Sequence, residues 1–179
     1  MYKRQFLEEH SYFGYPSEKV KLFMQGELPL IDTNGKILLD KNGCIKEASD
    51  GNGGIYEAIN KNGVLQDMKQ KGIEWIFIGG IDNILLNISD PILIGLTVKQ
   101  RNLIASKSVV KSNPKERVGV FGRVNGKPKV IEYTELPEKM AEETDANGNL
   151  IFGDANILNH LLNICLLYTS PSPRDYAAS

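Results

Sequence analysis

The chain has few of the residues that build metal centres and disulfide frameworks: two cysteines and two histidines in 179 residues. Cys44 and Cys165 lie far apart and outside any CxxC spacing. That excludes a zinc ribbon or a cystine scaffold and reads as two reduced thiols. An excess of one charge is also missing. The 21 Lys and Arg stand against 22 Asp and Glu, a net charge of −1, and no basic stripe points to nucleic acid as a partner. The longest apolar runs, residues 76–81 and 92–98, are too short to span a bilayer. No signal-peptide pattern opens the chain. There is no Ser-His-Asp order, no His/Cys metal cluster and no GxxxxGK[ST] phosphate loop. A hydrophobic content of 41% leaves room for one medium domain with its own core, and a cytoplasmic setting is expected.

What the sequence does have is glycine in the right company. The stretch Glu47-Ala48-Ser49-Asp50-Gly51-Asn52-Gly53-Gly54-Ile55-Tyr56 sets three glycines around one Asn, directly before a helical pattern. Glycine permits positive φ and close approach of a ligand to the main chain. The first N–H groups of a helix lack intrahelical partners and can bind an anion or a carbonyl. A plain Gly-rich turn capping a helix is the competing reading.

Residues 6–13 read as a helix end stopped by Gly14 and Pro16. The alternation Val20, Leu22, Met24 predicts a strand over 19–25. Asn34-Gly35 and Asn42-Gly43 mark tight turns between extended segments. Helices are expected over 55–60 and 64–70, broken at Asn62-Gly63. Residues 73–78 read as a strand buried on both faces, followed by a short helical piece at 84–88. Asp90 before Pro91 is an N-cap ahead of a helix through residue 101. Strands follow at 103–110, at 118–124 and at 129–133, the last two joined by Asn125-Gly126. A helix is expected at 137–143 and a short strand at 150–152. The spacing of Ile157, Leu158, Leu161 and Leu162 predicts a helix over 156–163. No internal repeat is evident. Strands alternating with helices, plus hairpins, indicate α/β with a mixed sheet.

Asp82 follows a predicted strand at its C-terminal end, the edge where open α/β sheets bind ligands. Beside Asn83 it is either a carboxylate for a hard divalent cation or a helix N-cap. Glu132, in a strand, is a solvated side chain unless it faces the same pocket. His160, four residues after Asn156, reads as structural rather than catalytic.

Seven segments then stand in the order of a known family: Phe23-Met24-Gln25-Gly26-Glu27-Leu28-Pro29, Asp50-Gly51-Asn52-Gly53-Gly54-Ile55-Tyr56, Ile81-Asp82-Asn83-Ile84-Leu85, Asp90-Pro91-Ile92-Leu93-Ile94-Gly95, Val118-Gly119-Val120, Val130-Ile131-Glu132-Tyr133-Thr134-Glu135 and Asn156-Ile157-Leu158-Asn159-His160. Across residues 6–164 the chain resembles the UDP-sugar pyrophosphorylase family, most closely its UDP-N-acetylglucosamine branch. The resemblance implies a mixed, mostly parallel Rossmann-like sheet flanked by helices, the nucleotide-diphospho-sugar transferase fold. It implies transfer of uridylate from UTP to a sugar 1-phosphate with release of pyrophosphate. Gln25 and the main chain of Gly51 would read uracil. Asn52 and Glu132 would bind the sugar, with Gly119 and Asn156 lining its pocket. Asp82 would be the catalytic residue, near the phosphates and a magnesium ion. All seven would converge on one cleft at the C-terminal ends of the central strands.

The chain departs from the family at Ser49, where Pro is usual, and at Ala155, where Gly is usual. The glucose-specific branch typically carries GHGD at the glycine loop, whereas this chain has Gly51-Asn52-Gly53-Gly54, which favours the amino sugar. A glucose-preferring or broad enzyme, a nucleotide-sugar-binding domain without catalysis and a purely structural domain stay open. Residues 1–5 and 165–179 resemble translated adapter sequence, so residues 6–164 are expected to be the central part of a catalytic domain. The family's Gly-rich phosphate loop and its basic residue are not in this sequence, and the chain by itself is expected to be inactive.

Overall fold

The structure is a computed structural model that describes residues 2–169. The chain divides into two compact units, Met1–Asp67 and Met68–Ser179.

The first unit opens with helix α1 (Tyr2–Glu9) and two 3-10 turns, Ser11–Gly14 and Ser17–Lys19. The strand expected over 19–25 does not form. Its alternation is present but no segment offers it a ladder among the described residues, and Met24 is 74% exposed. Strand β1 (Glu27–Pro29) pairs antiparallel with β2 (Glu47–Ser49), Leu28 opposite Ala48. Between them the chain repeats itself, contrary to the sequence reading: Leu30-Ile31-Asp32-Thr33-Asn34-Gly35-Lys36-Ile37 is followed by Leu38-Leu39-Asp40-Lys41-Asn42-Gly43-Cys44-Ile45. In each copy the Asp carboxylate accepts from the N–H groups two and four residues on, at 2.8 and 2.9 Å. Gly35 (φ 79°) and Gly43 (φ 80°) turn the chain where a side chain would strain it. The backbones of Leu30, Leu38 and Lys46 close a ring of three hydrogen bonds. Helices α2 (Gly54–Lys61) and α3 (Val64–Gln70) follow, broken at Asn62-Gly63 as expected. Tyr56, Ala58, Ile59, Val64 and Leu65 are buried.

The second unit contains β3 (Trp75–Gly79), α4 (Pro91–Lys99), β4 (Ile104–Val110), β5 (Val120–Val124), β6 (Lys127–Ile131), α5 (Glu138–Ala141), β7 (Asp154–Asn163) and α6 (Cys165–Thr169). The centre of its sheet is β7, the segment whose spacing predicted a helix. β4 runs along one edge of β7, while β3 and then β5 share the other. Every pairing is antiparallel, which corrects the expected mostly parallel sheet. β3 and β4, joined through α4, do run parallel to each other. They are not neighbours, because β7 lies between them in the opposite sense.

The helix-like spacing has a cause. From Ser106 to Ser108, β4 takes two steps, whereas β7 takes four, from His160 to Asn156. Ile157, Leu158 and Asn159 therefore face Lys107 alone. This bulge breaks the two-residue alternation and mimics a period near four. Leu158 sits in the left-handed region at φ 51°.

Asp90 caps α4 as expected, accepting from Ile92 N at 2.9 Å. It also pairs with Lys107 on β4, and that hydrogen bond holds its carboxyl below the usual range. Residues 84–88 form turns rather than a helix, and Ile84 and Leu85 lie almost fully exposed. The strand expected at 150–152 is a single bridge, Thr144 to Leu150. In β3, Ile76 and Ile78 are buried and Trp75 and Phe77 half-buried, so only one face is fully covered. Val120, Leu161 and Leu162 are the most deeply buried apolar residues of this unit.

Candidate functional site

In the first unit, pairing of β1 with β2 brings Gln25 to the glycine loop across 25 residues of sequence. The Gln25 amide donates to Asp50 Oδ1 at 2.6 Å and to the carbonyl of Gly51. Asp50 N–H in turn donates to Gly26 O at 3.1 Å. Gly51 turns the chain at φ 80°, and Gly54 N–H closes the turn on Gly51 O at 3.1 Å. Asn52, at the apex, is exposed.

The organiser is Asp50, which sequence reasoning quoted but did not single out. A Cβ on Gly26 would lie 2.7 Å from Asp50 Oδ2, and one on Gly54 would collide with the same carboxylate. The sequence shows only glycines on either side of one acid; that Gly26 and Gly54 serve close approach and not a positive φ is visible in the structure alone.

In the second unit, Gly119, Glu132 and Asn156 come together. Asn156 N–H donates to Gly119 O at 2.8 Å. A Cβ on Gly119 would lie 3.3 Å from Glu132 Oε1 and 3.1 Å from Val130 Cγ1, so the carboxylate lies close against this backbone. Asn156 Oδ1 accepts from Leu158 N–H at 3.0 Å and braces the bulge. Glu132 is exposed and Asn156 half-buried. Glu132 follows the C-terminal end of β6, but Gly119 precedes β5 and Asn156 lies inside β7. The expected placement of all site residues at C-terminal strand ends is corrected in this respect, because β7 runs against its neighbours.

Asp82 lies on the exposed turn that leaves β3. The capping alternative does not apply to it, since the side chain that accepts from the following backbone is Asn83, from Leu85 N–H at 3.2 Å. The turn rests on the same bulge. A Cβ on Gly80 would meet Asp82 Oδ1 at 3.2 Å and Leu158 Cδ2 at 3.6 Å. Among the described residues no group of three or more His, Cys, Asp or Glu could hold a metal ion. Asp82 therefore belongs to no such cluster.

Three further polar side chains lie at or beside the bulge. Ser106 Oγ meets His160 Nδ1 at 2.7 Å, and the ring stands edge-on to Phe121 at 6.3 Å between centroids. Burial pushes the His160 pKa down. Asn159 is 2% exposed, and its Oδ1 has no hydrogen-bond partner among the described residues.

A family model described as UTP--glucose-1-phosphate uridylyltransferase matches residues 3–171. The chain is 39% identical over 163 residues to the UDP-N-acetylglucosamine pyrophosphorylase of Saccharomyces cerevisiae, covering 90% of this chain and 34% of that protein. It is 38% identical over 164 residues to UDP-N-acetylhexosamine pyrophosphorylase-like protein 1 of Xenopus tropicalis, covering 92% of this chain and 32% of that one. The crystal structure of the uridine diphosphate N-acetylglucosamine pyrophosphorylase from Trypanosoma brucei, in complex with inhibitor, superposes with a TM-score of 0.80 at 38% identity, over 93% of this chain and 34% of that one. The chain spans about a third of the length of these relatives. No helix among the described residues is long and apolar enough to cross a membrane. With the family model matched over residues 3–171, the chain belongs to the UTP--glucose-1-phosphate uridylyltransferase family.

Proposed function

We propose that this chain supplies the uridine- and sugar-recognising surfaces of a uridylyltransferase that converts UTP and N-acetylglucosamine 1-phosphate into UDP-N-acetylglucosamine and pyrophosphate. The observation that carries this reading is that Gly119 meets Glu132 across the β5–β6 hairpin and Asn156 on the bulged strand. A carboxylate and an amide against a bare backbone suit a ligand with several hydroxyl and amide donors. In the first unit Asn52 is exposed at the loop apex, and the family resemblance assigns it to the sugar. Uracil presents one donor and two acceptors, which the Gln25 amide and the Gly51 main chain complement. Their mutual contact reopens when the base enters.

The sugar-phosphate oxygen attacks the α-phosphorus in line and pyrophosphate leaves, so catalysis consists largely of positioning and charge neutralisation. Asp82 would hold magnesium there, and the ion would supply charge neutralisation to the phosphates.

Calorimetric titration of the chain with UDP-N-acetylglucosamine and with UMP tests the reading. Asn52→Ala and Glu132→Ala each remove a contact to the sugar. A lost neutral hydrogen bond corresponds to a several-fold to about tenfold change in affinity. We expect that loss for UDP-N-acetylglucosamine and none for UMP. Equal losses for both ligands, or a loss for UMP alone, would reverse the assignment.

A further inference from the structure

We infer that His160 is a positioning residue for the sugar subsite, acting through Ser106 to hold the β7 bulge in the one register that sets Asn156 against Gly119. What the subsite binds rests on the reading above; the latch itself rests on geometry.

Strand alternation puts the participants on one face of the sheet. Ser106 is the cross-strand partner of His160, Ser108 of Asn156, and Val120 of Ala155. Residues two apart on a strand, and partners across it, share a face. Ser106, Ser108, Asn156, His160, Gly119 and Phe121 therefore belong to the same side. The subsite and the Ser106 to His160 contact are neighbours on it.

The bulge needs a restraint. Three residues of β7 face one of β4, so the ladder is interrupted there, and Leu158 holds a backbone conformation that side chains with a Cβ rarely adopt. Two serines of β4 pin its two sides. Ser106 Oγ meets His160 Nδ1 at 2.7 Å on one side, and Ser108 Oγ donates to Asp154 Oδ1 at 2.9 Å on the other. The residue between them, Lys107, ties β4 to Asp90 at the start of α4. The Ser106 contact is half-buried, whereas Ser108 and Asp154 are exposed. A shielded hydrogen bond is less open to exchange with water, so the His160 side carries the restraint. Phe121 fixes the ring from β5, the strand that Gly119 leads into. Slippage would withdraw Asn156 N–H from Gly119 O, and would draw Leu158 away from Gly80 and the Asp82 turn.

The variants separate ring from hydrogen bond. His160→Phe keeps the aromatic edge toward Phe121 and removes the ring nitrogen. His160→Asn removes the ring and keeps a polar atom near the Nδ1 position. Ser106→Ala removes the other partner. Two readouts are taken on the whole chain: hydrogen exchange at the Asn156 and Leu158 amides, and affinity for UDP-N-acetylglucosamine and for UMP. We expect Ser106→Ala and His160→Phe to speed exchange at those two amides by about three- to tenfold, the equivalent of one neutral hydrogen bond. The Ile76 amide in β3 should not change. His160→Asn should restore most of the protection. UDP-N-acetylglucosamine affinity should fall by a similar factor while UMP affinity holds. Unchanged exchange at Asn156 and Leu158 in both Ser106→Ala and His160→Phe overturns the latch, whatever the ligands do. An equal loss of UMP affinity overturns it as well, by showing a general defect. Exchange that responds in a chain whose wild type binds UMP but not UDP-N-acetylglucosamine shows a latch without a sugar subsite. That outcome overturns the functional reading and, with it, the role given to His160.

Discussion

At residues 50–54 the backbone is bent by contacts drawn from close by. Asp50 packs on Gly54, the turn closes on Gly51, and the one distant contributor, the Gln25 and Gly26 segment, arrives on an adjacent strand. At residues 157–159 the bend depends on partners reached across the sheet: Ser106 on β4, Gly119 before β5 and Gly80 after β3. Each places candidate binding residues, Asn52 in one and Asn156 in the other. The difference teaches where each should be vulnerable. A loop shaped by contact with a bare backbone fails when a methyl group is added. A bulge shaped by sheet neighbours fails when a neighbour is changed.

The largest effect expected from this contrast is at Gly54. It opens α2 in helical conformation, where alanine would ordinarily gain up to about 1 kcal/mol over glycine. Here the added Cβ would collide with the Asp50 carboxylate. Overpacking of that kind costs about 1–3 kcal/mol, so Gly54→Ala should destabilise the chain in urea despite its better helix propensity. Asp50→Ala combined with Gly54→Ala should be more stable than Gly54→Ala alone, a non-additivity diagnostic of direct contact. A neutral or stabilising Gly54→Ala would show that the loop does not owe its shape to this contact.

Leu158 should behave in the opposite way. In a regular strand glycine is about 0.5–1 kcal/mol worse than alanine. At φ 51° a residue with a Cβ carries a penalty of about 1–2 kcal/mol that glycine escapes. Both substitutions lose the half-buried leucine side chain, so their difference isolates the backbone. Leu158→Gly should therefore match or exceed Leu158→Ala in stability by about 0.5–1 kcal/mol in urea unfolding. The ordinary ranking, alanine above glycine, would mean that the bulge relaxes to a regular strand and that its shape is not held from outside.

The same contrast explains what could be read from the sequence. The turns at Asn34-Gly35, Asn42-Gly43 and Asn125-Gly126, the break at Asn62-Gly63 and the cap at Asp90 all form where expected, because each is fixed by residues within a few positions. In Asp145-Ala146-Asn147-Gly148-Asn149 the pattern of the two octads recurs, again with the Asp carboxylate accepting from the amides two and four residues on. β7 was misread because its apolar spacing is the product of a bulge, and nothing between 154 and 163 announces that β4 is two residues short there. The mostly parallel sheet was an implication of the family resemblance, and no local pattern shows that β7 separates β3 from β4 and runs against both. Among the site residues, Gly119, Glu132 and Asn156 were named through the family motifs, but their contact was not visible in any local pattern. His160 was legible only as a structural histidine, since its partner Ser106 lies 54 residues away.

The smallest effect expected is a pH dependence that belongs to the bulge and not to the loop. Burial pushes the His160 pKa below its ordinary value near 6.5. The unfolded chain, with that ordinary value, then binds more protons than the folded chain in the interval between the two values. Stability therefore rises with pH across the interval. Put the other way, the contribution of neutral His160 is fully present above about pH 6.5 and is lost progressively as pH falls toward the lower folded value. His160→Phe removes this titration while keeping the ring, so the urea midpoint of the variant should decline less than that of the wild type between about pH 7.5 and 5.5. Groups elsewhere in the chain contribute equally to both proteins and cancel in the difference. Gly54→Ala, which leaves His160 in place, should keep the wild-type slope however much it lowers the midpoint. If His160→Phe also keeps that slope, the imidazole proton is not coupled to the fold, and Ser106 and Phe121 are holding the ring only as a shape.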